Sequence, residues 1–192
     1  MQRSNTQFGR RELIAALAAG AAAVASAQQR SPGAPGTPIN VTPPSAEEIQ
    51  SLTFMREEEK MARDVYDYLY QRWGITVFDS IAASEEQHFA QVGRLLTRYG
   101  IADPAANLAA GVFGNSKLST LYAELVAKGA ASLKDALEVG VAIEQVDIAD
   151  LEEAIVEASK SDIKRVYTNL MEASYQHLEA FEANLQILAA LS

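Results

Sequence analysis

From Ser45 to the end of the chain, apolar residues recur at steps of three and four, the spacing of one face of an α-helix. Four long runs carry the pattern. The first reads Leu52, Met55, Glu59, Ala62, Tyr66, Leu69, Trp73, and the second Phe78, Ile81, Glu85, His88, Val92, Leu95, Tyr99. The third reads Leu133, Leu137, Gly140, Glu144, Asp147, Leu151, Ala154, and the fourth Ile163, Tyr167, Leu170, Ser174, His177, Phe181, Leu185. Each stripe is apolar at its ends and polar near its middle. No segment alternates every second residue through a Val/Ile/Thr-rich stretch, so no sheet is expected.

Caps and breakers set the boundaries. Ser45 with Glu48 three residues on forms a capping box, and the first helix runs to about Trp73 and stops at Gly74. The second begins near Thr76 or Phe78 and ends at Tyr99-Gly100. A long connection, from about 100 to 132, contains a short helix around Leu118 to Lys128, closed by Gly129. Ser132 caps the third long helix, which runs to about Ser159. Ser161 caps the fourth, from Asp162 to about Ala190. Short links make each pair an antiparallel hairpin, and the long link can cross from one hairpin to the other. The expected fold is an all-α, ferritin-like four-helix bundle over residues 46–192, two hairpins joined by a crossover that carries a short helix.

The chain before Ser45 differs in kind. Residues 1–27 read as an export signal: Arg3, Arg10 and Arg11 precede a small apolar run, and Ala25-Ser26-Ala27 offers a small-x-small cleavage site. Arg10-Arg11 followed by Glu12-Leu13-Ile14 is similar to a twin-arginine signal. The expectation is a periplasmic or extracellular protein with no stable membrane insertion after cleavage. An uncleaved anchor is the alternative; the apolar run is short for one. Residues 28–45 hold five of the six prolines, with Gly33 and Gly36, and read as a linker.

Charge and composition then narrow the chemistry. The net charge of -9 disfavours nucleic acid as a partner. The absence of cysteine excludes disulfides, iron–sulfur clusters, thiolate zinc sites and a thiol nucleophile. Any histidine chemistry must pass through His88 or His177, the only two.

Both histidines fall on the stripes, beside acids. A bare carboxylate in an apolar core either takes up a proton or finds a cation. Glu59, Glu85, Glu144 and Asp147 together would repel strongly. Two divalent ions cancel four negative charges, and two neutral imidazoles complete the shells. The expected ligands are therefore Glu59, Glu85, His88, Glu144, Asp147 and His177, for two metal ions, with iron or manganese favoured and zinc a further candidate. Singly, each piece has a plainer explanation: a chance Glu-x-x-His, a solvated acidic face, a hydrogen-bonded core histidine. Their coincidence at mid-stripe carries the metal reading. Of the contiguous Glu57, Glu58 and Glu59, only one or two can face inward. Glu59 fits the stripe, and Glu58, in line with Phe54, Met61 and Val65, is the fallback. Arg63 and Asp64 read as a surface pair, with support of the ligands from behind as the alternative, and Trp73 and Phe78 as core caps at the hairpin end. Tyr66 either packs or offers its hydroxyl to a ligand or as an electron donor.

The runs Met55-Arg56-Glu57-Glu58-Glu59-Lys60-Met61-Ala62-Arg63-Asp64-Val65-Tyr66, Ser84-Glu85-Glu86-Gln87-His88, Ile143 to Leu151 and Ser174 to Phe181 resemble the bacterial and archaeal family called domain of unknown function 2202, a ferritin-like group. The first two also resemble the metal-binding helices of rubrerythrin-type proteins. That resemblance implies a ferritin-like bundle. One departure stands out: Ser174 holds the place where ferritin-like proteins carry a second Glu-x-x-His glutamate, and Asp147 is the candidate replacement. Three functions follow. The first is a di-iron oxidoreductase acting on dioxygen or peroxide, or on Fe(II) itself. The second is metal binding for storage or sensing, and the third a structural bundle with a vestigial site. Dimerisation suits such a bundle, but no exposed apolar stripe marks an interface.

Overall fold

The computed structural model describes residues 42–191; the expected leader and most of the linker lie outside them. Five helices and no strands occur among the described residues: α1 (Ala46–Trp73), α2 (Thr76–Tyr99), α3 (Ser116–Gly129), α4 (Leu133–Glu157) and α5 (Ser161–Ala190). Among them, no helix is long and apolar enough to cross a membrane.

The capping box forms as read. The Ser45 hydroxyl accepts from the Glu48 N–H, and the Ser45 N–H donates to Glu48 Oε2. Gly74 and Gly100 end α1 and α2 in the left-handed conformation that glycine adopts without strain. Two boundary expectations are corrected. Ser161 does not cap α5: the cap is Lys160, which makes no side-chain bond of its own. Glu48 instead holds the chain entering α5: its second oxygen accepts the N–H groups of Ser159 and Lys160 at 2.6 and 3.0 Å. Burial pushes the Glu48 carboxyl up, but these N–H bonds outweigh it and hold the group below its usual range. Gly129 lies within α3 rather than closing it, and it takes no positive φ. A Cβ there would stand 2.6 Å from Leu69 Cδ2, so the glycine permits close approach of α3 to α1.

α1 pairs with α2 and α4 with α5. Further contacts join α1 to α4 and α2 to α5, while α3 rests on α1 and α4. The apolar core divides in two. One cluster gathers Tyr66, Leu69, Phe78, Leu137 and Phe181 with Leu118 and Leu125 of α3. The other gathers Leu52, Met55, Val92, Leu151, Tyr167 and Leu170. The polar mid-stripe residues lie between the two in sequence on every long helix. Phe78 is fully buried, as expected of a core cap, while Trp73 is half-buried and donates its indole N–H to Gly129 O.

Gly140 is the tightest point of the first cluster. A Cβ there would lie 2.6 Å from the Phe181 ring, which itself packs on Tyr66 and Phe78. Gly140→Val is therefore expected to cost about 2 kcal/mol or more by overpacking. Urea unfolding checks this; unchanged stability would mean that the Phe181 ring can yield.

The polar side of α1 departs from expectation. Glu57, Glu58 and Glu59 are all buried, as are Arg56, Lys60 and Asp64. The reason is the connection after α2, which runs along α1 and brings backbone groups that need partners. Glu57 Oε1 accepts the N–H groups of Gly114 and Asn115. Lys60 Nζ donates to Ala109 O at 2.8 Å and pairs with Asp64, which in turn accepts the Gly111 N–H. Arg56 binds Asp103 through two nitrogens. Arg63 pairs with Asp64 and Glu86. Asp64 is thus no surface residue: α1 is covered on more than one side, and a single stripe underestimates its burial.

Candidate metal centre

Each long helix delivers its mid-stripe residues to one buried layer. α1 supplies Glu59; α2 supplies Glu85 and His88, one turn apart; α4 supplies Glu144 and Asp147; α5 supplies Ser174 and His177. All seven are buried.

Two triads emerge. Glu59, Glu85 and His88 bring one ligand atom each within 4.8 Å of one another, and so do Glu85, Glu144 and His177. Glu85 belongs to both. Its Oε2 lies 2.7 Å from His88 Nδ1, and its Oε1 lies 2.9 Å from His177 Nδ1. On the outer sides, Glu59 Oε2 stands 3.4 Å from His88 Nδ1 and Glu144 Oε2 stands 3.5 Å from His177 Nδ1. The two rings stack 5.6 Å apart. Five of the six expected ligands are therefore brought together around one shared carboxylate.

Asp147, the sixth, belongs to neither triad. Its Oδ2 accepts the Ser174 hydroxyl at 2.6 Å, and its Oδ1 has no hydrogen-bond partner. Glu58, the fallback, is buried but also outside both triads, with Asp150, Asp147 and Glu59 as the charges acting on it. Tyr66 does more than pack: its hydroxyl donates to Glu144 Oε1 at 2.6 Å. Sequence reasoning passed over Ser84, whose hydroxyl lies 3.0 Å from His177 Nε2. Its place beside Glu85 was the available signal, but helical periodicity alone does not mark it.

The family model for an uncharacterized protein domain, DUF2202, matches residues 48–188. The chain belongs to the DUF2202 family. The resemblance read from the motifs is thus borne out at the level of that family. The uncharacterized protein MJ0754 of Methanocaldococcus jannaschii is 51% identical over 139 residues, 72% of this chain and 75% of the relative. A crystal structure of MJ0754 aligns with a TM-score of 0.74 and 47% identity, covering 82% of this chain and 87% of that one. A crystal structure of a DUF305 fragment from Deinococcus radiodurans aligns with a TM-score of 0.56 at 16% identity, covering 76% and 99% of the two chains, a likeness of fold alone.

In this DUF2202 domain the buried acids strain against one another. Burial, then the charges of Asp147 and Glu85, push Glu59 well above the usual carboxylate range. Burial and Glu85 raise Glu144 to about 8, and the same two causes raise Asp147 to about 7. Burial, Asp150 and Asp147 raise Glu58. Glu85 goes the other way: burial raises it, but contacts with His177 and His88 outweigh that and bring it to about 2. Burial lowers His177, while Glu144 and Glu85 more than reverse it, to about 9. Burial likewise lowers His88, and Glu85 again turns the shift upward.

These residues could hold metal. Glu59 Oε1 and Asp147 Oδ1 are buried without hydrogen-bond partners, an arrangement that costs stability unless a donor or a cation meets them. The donors are carboxylate oxygen and imidazole nitrogen, suited to iron, manganese or zinc. The nearby cations do not serve instead: Lys60 and Arg63 pair with Asp64 on the other side of α1.

Proposed function

We propose that this protein is a ferritin-like four-helix bundle whose core holds two metal ions, iron for preference, and reacts with dioxygen or peroxide. The shared Glu85 carries the reading. Glu85 has a histidine and a further glutamate on each side, so this one carboxylate would serve both ions. Glu59, Glu85 and His88 would hold one ion and Glu85, Glu144 and His177 the other, with Asp147 as the sixth ligand residue. Bound iron would supply the electrons delivered to dioxygen or peroxide. The chain's own groups do the rest. The apolar clusters flanking the layer exclude water and strengthen each electrostatic contact within it. Tyr66, whose burial holds its pKa well above the ordinary value, keeps its proton on the hydroxyl and directs it at Glu144 Oε1. Residues 1–27, read as a signal similar to the twin-arginine type, would direct export of the folded, metal-loaded protein.

Metal binding without turnover is the competing reading. It is favoured by the absence of cysteine, which leaves the chain no thiolate-held centre to return electrons. Oxygen uptake separates the two. Protein loaded with Fe(II) under anaerobic conditions is expected to consume oxygen faster than free Fe(II), and a Glu85→Gln/His88→Ala variant is not. Uptake no faster than free Fe(II) would leave storage or sensing as the function.

A further inference from the structure

We infer that three hydroxyls, those of Ser84, Ser174 and Tyr66, decide which atom each of three ligand residues presents to the metal centre. The inference rests on the metal-binding reading above. Imidazole and carboxylate are both two-headed, so each can offer either of two atoms unless something engages one of them. Ser84 Oγ lies 3.0 Å from His177 Nε2, and the other ring nitrogen, Nδ1, faces Glu85 Oε1 at 2.9 Å and Glu144 Oε2 at 3.5 Å. Ser174 Oγ donates to Asp147 Oδ2 at 2.6 Å, and Oδ1 is left bare. Tyr66 donates to Glu144 Oε1 at 2.6 Å, and Oε2 is the oxygen that faces His177. The same division recurs three times: the hydroxyl takes one atom and leaves the other available, beside Glu85 for His177, beside His177 for Glu144, and buried without a partner for Asp147.

In each case the hydroxyl stands on a different helix from the ligand it holds. Ser84 on α2 holds His177 on α5, Ser174 on α5 holds Asp147 on α4, and Tyr66 on α1 holds Glu144 on α4. Two of the three bonds tie one hairpin to the other, so the site's geometry is set across the core rather than within a helix. Ser174 now has a reason to stand three residues before His177. A glutamate there would add a ligand on α5; the serine instead orients the aspartate that α4 supplies. For His177 the consequence is a tautomer. A ring that binds metal through Nδ1 carries its proton on Nε2, and Ser84 Oγ is the acceptor for it.

The test is zinc binding to the full chain by titration calorimetry, with nitrogen NMR of the histidine rings in the zinc-bound state. The variants are Ser84→Ala, Ser84→Thr and Ser174→Ala. Alanine suits a helix, so folding should survive at both serines. Zinc affinity is expected to fall about 10- to 100-fold in Ser84→Ala and in Ser174→Ala. In Ser84→Ala the His177 proton should no longer be confined to Nε2. Ser84→Thr, which keeps the hydroxyl, should restore most of the affinity and the tautomer. Wild-type affinity in Ser84→Ala, with the proton still fixed on Nε2, would overturn the inference while leaving the metal centre standing. So would a loss confined to melting temperature. Failure of the wild-type protein itself to bind zinc would reject the metal centre, and the inference with it.

Discussion

Glu85→Gln is expected to empty both halves of the site, while Glu59→Gln and Glu144→Gln weaken one half each. The asymmetry follows from geometry. Glu85 alone stands in both triads, with one oxygen toward each histidine. Burial pushes its carboxyl up, but its two imidazole contacts outweigh that and bring it to about 2, so it is the one acid of the layer already in the form that binds metal. Glutamine keeps the shape but loses the charge and turns one oxygen into an N–H₂ donor that cannot bind a cation. Elemental analysis after anaerobic Fe(II) loading should give close to two irons per wild-type chain and almost none for Glu85→Gln. Equal, partial losses at Glu59, Glu85 and Glu144 would show that Glu85 is one acid among several and not a bridge.

The second large effect is on stability against pH. Metal-free protein should grow less stable as pH rises from about 5 to about 9, the reverse of ordinary acid denaturation. Glu144 and Asp147 are raised to about 8 and about 7, and Glu58 and Glu59 are raised well above 4.5. A carboxyl with a raised pKa holds its proton in the folded state after the unfolded chain has released it. Its stabilising share is full below the unfolded value and is lost as pH climbs through the folded one. His177, raised to about 9, acts in the same direction: its share is full below 6.5 and lost through about 9. Glu85, lowered to about 2, contributes above 4.5 and stays constant across this window. Since each pKa unit is worth about 1.4 kcal/mol, the layer as a whole should move stability by several kcal/mol. Saturating Mn(II) or Zn(II) should flatten or invert the slope, because bound metal holds the carboxylates as anions and competes with protons. Thermal melts at pH 5.5 and 8.5, with chelator and with metal, read both effects. A metal-free protein more stable at pH 8.5 than at 5.5 would contradict the burial of these acids.

Much of this was legible in the sequence, because the signals were local and repeated. Glycines at 74 and 100, the Ser45–Glu48 box and the Ser132 cap mark helix ends through backbone chemistry that does not depend on the rest of the fold. The stripes placed Glu59, Glu85, His88, Glu144, Asp147 and His177 inside, since a period of three and four residues translates directly into a face. What stayed hidden depends on contacts between distant segments. Glu48 holds the chain entering α5 from more than a hundred residues away, where Ser161 was expected to cap. Glu57, Lys60 and Asp64 are buried by a connection whose path no periodicity describes. Gly129 reads as a stop signal, yet it serves close packing against Leu69. Asp147 fell on the right stripe but stands outside both triads, with one of its oxygens held by Ser174. Helical spacing gives the face of a side chain and not the partner of each of its atoms.

Anomalous diffraction from crystals of the protein grown or soaked with Mn(II) or Fe(II) tests the central claim most directly. Two peaks of comparable height are expected on either side of the Glu85 carboxylate, one beside Glu59 and His88, the other beside Glu144 and His177. A fully soaked crystal with no peak at Glu85, or with metal bound only at the surface acids, would contradict the account.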